Sequence, residues 1–138
     1  VKNPIVYEGT IEVRFGDVDM YGHVNSAKFL DYVTTIRWAY AEKTLGVSSK
    51  QLIEKKLGFF MTRSEINYKR SIPPGAVVYI CSQIEEVKDT VLLASFKIMS
   101  EEKQKTFADG TLHFAVMDLE SMRPRALPDW AFPYFFQE

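Results

Sequence analysis

One cysteine, two histidines and a formal charge of only −1 set the first limits on this 138-residue chain. With Cys81 alone there can be no disulfide within the chain, and an oxidising compartment is not implied. Its neighbours Val77, Tyr79 and Ile80 make it a small core hydrophobe. His23 and His113 lie far apart with no second His or Cys at ligand spacing, which argues against a metal site. The near-zero charge excludes general nucleic-acid binding, because neutralising phosphates needs a basic surface. A local Lys and Arg cluster could still hold one small phosphorylated ligand. No apolar run approaches the ~20 residues of a membrane span, and the first residues do not read as a secretion signal, so no membrane association is expected and cytoplasm is the expected location. Repeats, low-complexity stretches and linkers are also missing. A single domain over residues 1–138 is therefore expected.

Aromatics are plentiful, with ten Phe and seven Tyr. Some of them could cover a subunit interface or line an apolar pocket. Tyr7 to Phe15 alternates enough to be a strand. Asn25 offers an N-cap for a helix over Ser26 to Leu45, and Gly46 suits a left-handed C-cap. Phe29, Leu30, Val33, Ile36, Tyr40, Ala41 and Leu45 spread over more than half its circumference, leaving Lys28, Asp31, Thr35 and Glu42 as a narrow polar stripe. Such a helix is expected to be enclosed. Ser48 to Gln51 forms a capping box for a short helix ending before Gly58.

The period then changes. Phe60, Thr62, Ser64, Ile66 and Tyr68 alternate with Arg63, Glu65, Asn67 and Lys69 as a strand, and Pro73-Pro74-Gly75 turns the chain. Ala76 to Val87, Thr90 to Ser100 and Lys105 to Met117 follow as strands with short turns. Short turns imply antiparallel neighbours. Leu92, Ala94, Phe96 and Ile98 form one face, as do Ala108, Gly110, Leu112, Phe114 and Val116. One antiparallel sheet with one large helix is best satisfied by an α+β arrangement, the sheet curving around the helix.

The densest chemistry precedes that helix: Arg14-Phe15-Gly16-Asp17-Val18-Asp19-Met20-Tyr21-Gly22-His23-Val24-Asn25. A carboxylate facing the open N–H groups of a helix start can attack or deprotonate while the helix start stabilises an oxyanion. An acyl-transfer site is the first expectation. This segment, with Phe29-Leu30-Asp31-Tyr32, Ile66-Asn67-Tyr68-Lys69-Arg70 through Pro74-Gly75, Asp109-Gly110, and Arg123-Pro124-Arg125 to Leu127-Pro128, resembles the hotdog-fold acyl-CoA thioesterases of the 4-hydroxybenzoyl-CoA thioesterase type. The likeness runs in order along nearly the whole chain, and its first segment is the specific part.

The resemblance implies a five- or six-stranded antiparallel curved sheet wrapped around one long central helix. It also implies a homo-oligomer, dimer or tetramer, with sites between subunits. Asp19 matches the family's nucleophile or general base, and the Ser26 N–H matches the backbone donor that polarises the thioester carbonyl. Gly22-His23-Val24-Asn25 is similar to the branch acting on long or branched acyl-CoA thioesters, since the founding aromatic branch lacks a His and an Asn here.

Read residue by residue, Asp19 alone would be an ordinary turn carboxylate, and the surrounding motif raises it to the reacting group. Asp17 shares its strand parity and reads as structural. Asn25 is first an N-cap, satisfying the N–H of Ala27 or Lys28 and leaving that of Ser26 free. His23 either orients Asp19 or packs the turn, and His113 reads as a solvated or interface histidine. Arg37 falls within the apolar arc of the helix, so a carboxylate partner, Glu65 or Asp17, is expected. Arg63, Lys69 and Arg70 are candidates for the coenzyme A phosphates, although each alone reads as a solvated strand position. Tyr21, Phe59, Phe60 and Met61 are candidates for the acyl pocket, or plain core. The expected activity is hydrolysis of acyl-CoA to free acid and coenzyme A, with no cofactor beyond the coenzyme A of the substrate. A carrier-protein thioesterase, a hotdog hydratase and a non-catalytic acyl-CoA-binding or dimerisation module are the alternatives. The carrier protein would want a basic docking surface, and the hydratase uses a different motif.

Overall fold

The computed structural model describes residues 3–137. The elements are β1 (Asn3–Pro4), β2 (Tyr7–Glu12), a 3-10 turn at Phe15–Asp17, α1 (Ala27–Lys43), α2 (Ser49–Glu54), β3 (Leu57–Tyr68), β4 (Val77–Lys88), β5 (Val91–Ser100), β6 (Thr106–Asp118), β7 (Arg123–Pro124), a second 3-10 segment at Asp129–Tyr134, and β8 (Phe136–Gln137). β2 is shorter than its sequence pattern suggests. After the Val13 N–H is taken by the Ala76 carbonyl at 2.8 Å, the Asp17 N–H turns back to the Arg14 carbonyl at 3.0 Å.

α1 ends at Lys43, two residues before the expected Leu45. The N–H groups of Thr44 and Leu45 both return to Tyr40, and Gly46 at φ +70° reverses the chain so that the Val47 N–H reaches the Ala41 carbonyl. The Ser48–Gln51 capping box opens α2 as expected, with both reciprocal hydrogen bonds present. No helix among the described residues is long and apolar enough to cross a membrane.

The main sheet runs β2-β4-β5-β6-β3, all antiparallel, with β7 added on β6. Five long strands and one two-residue strand curl over α1, which is the hotdog arrangement. The inward faces read from sequence are the observed ones: Leu92, Ala94, Phe96 and Ile98 of β5, and Ala108, Leu112, Phe114 and Val116 of β6, are all buried. Ile80 and Ile84 of β4 join them, against Phe29, Tyr32, Val33 and Ile36 of the helix. Each such side chain removed from water stabilises the fold by roughly 1.5–3 kcal/mol. The helix is covered on one side only; Asp31, Thr35, Trp38 and Glu42 form its exposed stripe.

Two expectations about the strands are corrected. The Pro73-Pro74-Gly75 turn does not join neighbouring strands: β3 pairs with β6, while β4 lies between β2 and β5. The connecting segment instead crosses the end of the sheet. It is held there by the buried Ile72, whose carbonyl accepts the Val24 N–H at 3.0 Å, and by the N–H groups of Lys69 and Arg70, which share the Phe107 carbonyl. The even alternation from Phe60 to Tyr68 is also interrupted. A register shift between Met61 and Arg63 puts Leu57, Phe59 and Met61 toward the core before it and Ile66 after it. Phe60 is left 43% exposed on the other face.

Arg37 has neither Glu65 nor Asp17 as a partner. Its guanidinium lies between the rings of Tyr7 (5.2 Å) and Phe114 (5.0 Å) and donates from Nη1 to Ser82 Oγ at 2.9 Å. Helical spacing puts Arg37 on the buried arc, but only the folded register reveals that the sheet offers aromatic faces and a serine there. Burial pushes the Arg37 pKa down. Cation–π contacts, roughly 0.5–2 kcal/mol each, only partly offset the several kcal/mol that desolvating an ion costs.

Gly110 of β6 is required by close approach. A Cβ built there would stand 1.9 Å from the Glu65 carbonyl oxygen of β3 and 2.8 Å from the Phe96 ring. Gly110→Ala is therefore expected to destabilise the protein by roughly 1–3 kcal/mol in denaturant unfolding. Gly16→Ala, with nothing within 4 Å of the added carbon, should change stability by less than about 0.5 kcal/mol. Equal effects would contradict this account of the β3–β6 contact.

Candidate active site

The chain between β2 and α1 folds back on itself as a small antiparallel ladder. The Asn25 N–H bonds the Asp17 carbonyl at 2.8 Å, Val18 bridges Val24, and the Asp19 N–H bonds the His23 carbonyl at 2.9 Å. The tip closes with the Gly22 N–H on the Asp19 carbonyl at 3.0 Å, and Gly22 takes φ +79°, where a side chain would be strained. Asp17 is thereby set opposite Asn25, and Asp19 opposite His23.

The two carboxylates have different surroundings. Asp17 is only 4% exposed. Its Oδ2 accepts the Tyr32 hydroxyl at 2.7 Å and Arg14 Nε at 3.2 Å, and Lys28 Nζ stands 4.0 Å from Oδ1. The Tyr32 hydrogen bond first, and then Arg14, holds the Asp17 carboxyl below its ordinary pKa despite burial. The Tyr32 hydroxyl is pushed above its usual range by burial and by that same bond. Asp17 is thus a lock between the loop and the buried face of α1. Asp19 is half-buried, and its Oδ1 accepts the Tyr21 N–H at 2.9 Å. Its Oδ2 has no partner among the described residues.

The helix start is arranged as its N-cap asparagine suggests. Asn25 Oδ1 accepts the Ala27 N–H at 3.0 Å, the Asn25 carbonyl takes the Lys28 N–H at 2.8 Å, and the Ser26 carbonyl takes that of Phe29 at 3.3 Å. Among the described residues no acceptor is paired with the Ser26 N–H, and Ser26 is exposed. The Tyr68 hydroxyl, at the end of β3, lies 3.5 Å from the Ser26 carbonyl.

Beside the ladder runs a surface groove of about 520 Å³ lined in part by His23, Arg70, Glu101, Glu102, Lys105 and Phe107. Of the three candidate phosphate-binding cations, Lys69 is paired with Asp109 at 2.9 Å and Arg63 with Glu65 at 3.3 Å. Arg70 has no acidic partner among the described residues and faces the groove. Tyr21 is 78% exposed at the loop tip. Phe60 and Arg63 lie farther along β3. At ~3.3 Å per residue Phe60 is roughly 26 Å along the strand from Tyr68, so a single chain does not bring it to the ladder.

Two positioning residues escaped the sequence reading. Arg14 and Tyr32 were seen only as letters of motifs, although a tyrosine on a buried helix arc needs a hydroxyl partner. That need was the available signal. Asp17→Asn is expected to cost roughly 1–3 kcal/mol of stability at pH 7. Because the folded pKa of Asp17 is depressed, its contribution is complete above the ordinary aspartate value of ~3.9. It is lost as pH falls through the lower folded value. The gap between wild type and Asp17→Asn in denaturant unfolding should therefore narrow on acidification below about pH 4. A gap independent of pH would contradict the lock.

Residues 13–133 match the family model described as the thioesterase-like superfamily. The long-chain acyl-CoA thioesterase FadM of Escherichia coli is 27% identical over 117 residues, 85% of this chain and 87% of that protein. The crystal structure of the probable thioesterase YbaW of Escherichia coli superimposes with a TM-score of 0.82 at 25% identity, covering 93% of this chain and 95% of that one. The DHNA-CoA thioesterase of Staphylococcus aureus shares the fold, with a TM-score of 0.80 at 20% identity over 94% of this chain and 88% of that one. With a family match spanning the ladder, the helix and the sheet, this chain belongs to the thioesterase-like superfamily.

Proposed function

We propose that the protein hydrolyses acyl-CoA thioesters to the free acid and coenzyme A at the Asp19 ladder. The observation that carries this reading is that, on the loop held by Asp17, one Asp19 carboxylate oxygen and the Ser26 N–H are both without a partner among the described residues. A thioester carbonyl oxygen seated on the Ser26 N–H gains a donor for the negative charge that develops on it, and losing such a donor typically costs ~3 kcal/mol of barrier. Asp19 then either attacks the carbonyl carbon, expelling the coenzyme A thiolate and leaving a mixed anhydride for water to cleave, or takes the proton of an attacking water. Both routes need the same placement. Water is the only co-reactant, and coenzyme A enters as part of the substrate.

The remaining residues fall into supporting roles. Asn25 holds the helix start open by capping Ala27, and His23, opposite Asp19 in the ladder, orients the carboxylate or the thioester. Arg70, which forms no ion pair among the described residues although Glu101 and Glu102 share its groove, is the remaining candidate cation for the nucleotide phosphates, whereas Lys69 and Arg63 already hold carboxylates. A homo-oligomer completes the site in this reading. β3 is a sheet edge of 12 residues, and Phe15, Met20, Tyr21 and Phe60 expose large apolar surface. Tyr21 of one protomer and Phe60 of another would then form the acyl pocket. The name of FadM, a long-chain acyl-CoA thioesterase, supports an acyl-CoA substrate. A carrier-protein substrate finds little support in a net charge of −1.

The bond from the Tyr21 N–H to Asp19 Oδ1 favours one second reading, in which the loop is kept only for its shape in an acyl-CoA-binding module. Thiol release measured over short, long, branched and aromatic acyl-CoAs separates the two. Asp19→Asn is expected to lower kcat by about 10²–10⁴-fold with the assembly state and melting temperature unchanged. Binding without turnover for every thioester, or full activity in Asp19→Asn, would overturn the proposal.

A further inference from the structure

A second, separate cavity lies at the other end of α1. It has a volume of about 90 Å³, and its walls include Val47, Leu52, Phe59, Leu92 and Phe135. Arg37 forms part of the same wall, and no acidic side chain does. Arg37 is eleven residues past Ser26, roughly 16 Å along the helix axis at 1.5 Å per residue, so the cavity is not part of the Asp19 ladder or its groove.

The guanidinium in this wall is incompletely satisfied. Among the described residues its only hydrogen-bond acceptor is Ser82 Oγ, reached from Nη1, and none of the salt bridges involves it. The Ser82 hydroxyl is itself committed, donating to the Ser95 carbonyl at 2.7 Å. No fully buried side-chain nitrogen or oxygen among the described residues lacks a partner. The guanidinium N–H groups without an acceptor are therefore those with open surface, and the cavity is the space that Arg37 lines. Tyr7 and Phe114 cover its faces, which leaves the edge of the fork as the reactive direction.

We propose that this cavity is a binding site for a short organic monocarboxylate, the carboxylate on the edge of Arg37 and the alkyl tail against Phe59, Leu92 and Phe135. A planar fork of N–H donors matches a carboxylate in shape and charge. One cation balances one negative charge, whereas a phosphate dianion would carry an uncompensated charge into apolar walls. An inorganic halide would leave those walls unused. At about 90 Å³ the cavity exceeds the ~10–15 Å³ that a single water needs, which leaves room for a carboxylate with a tail of a few carbons. The site stands independently of the hydrolase reading, because its evidence and its test involve neither Asp19 nor turnover.

The test is calorimetric titration of the intact protein with butyrate, butyramide and chloride at constant ionic strength. Saturable binding of butyrate is expected, with butyramide at least about tenfold weaker because it lacks the charge and chloride unable to compete. Arg37→Met should abolish butyrate binding. Should that variant fail to fold, Ala41→Leu fills the cavity while retaining Arg37, and it should abolish binding too. No saturable butyrate binding in the wild-type protein, equal affinity for butyrate and butyramide, competition by chloride, or undiminished binding in a folded variant would each overturn the site. Arg37 would then be a structural cation held by its two rings and Ser82.

Discussion

The bond between the buried carboxylate of Asp17 and the hydroxyl of Tyr32 ties two parts of the chain that would otherwise meet loosely. One is a loop entered from an edge strand. The other is the second turn of the long helix α1. Arg14 covers the carboxylate from outside, and the Asp17 carbonyl receives the Asn25 N–H at the end of the returning ladder strand. These contacts determine where α1 begins and which of its N–H groups have acceptors. Without them the helix would still pack its apolar arc on the sheet, but its start would have no reason to stand beside a particular carboxylate.

Two aspartates two residues apart therefore acquire opposite characters from their surroundings. Asp17 faces inward, where a hydroxyl and cations stabilise its charged form and leave it no free oxygen for chemistry. Asp19 lies at the mouth of the ladder with one oxygen in a local turn and the other open. In the proposed reaction the structural member supports the chemical one, since the Asp17–Tyr32 bond ties the loop that carries Asp19 to the helix that starts after Ser26. Preorganisation of this kind matters because a donor already aimed at the developing oxyanion needs no rearrangement during the reaction.

Much of this was legible in the residues. The inward faces of β5 and β6, the capping box of α2 and the capping asparagine at the helix start each follow from local period or local hydrogen-bond demand, and the structure shows each of them. What could not be read locally depends on register between distant segments. Nothing around Pro73-Pro74-Gly75 says that β3 leaves β4 to pair with β6, because the decisive contacts are with Val24 and Phe107. The bulge near Thr62 is set by β6, so Phe60 changed faces. Arg37 was correctly anomalous, but its surroundings come from three strands and a C-terminal segment that no helical wheel contains. Of the candidate site, the ladder was visible as a motif and Asp17 read as its structural carboxylate, while the partner that holds Asp17, Tyr32, lies fifteen residues away and was not visible.

The central claim is that Asp19 and the Ser26 amide act on one carbonyl. The most direct measurement is a crystal structure with an acyl-CoA analogue in which a methylene replaces the thioester sulfur, so that the ketone persists. The account requires the ketone oxygen about 2.7–3.1 Å from the Ser26 nitrogen and an Asp19 oxygen within about 3.5 Å of the ketone carbon. A ketone bound elsewhere, or seated on Ser26 with Asp19 turned away, would contradict it.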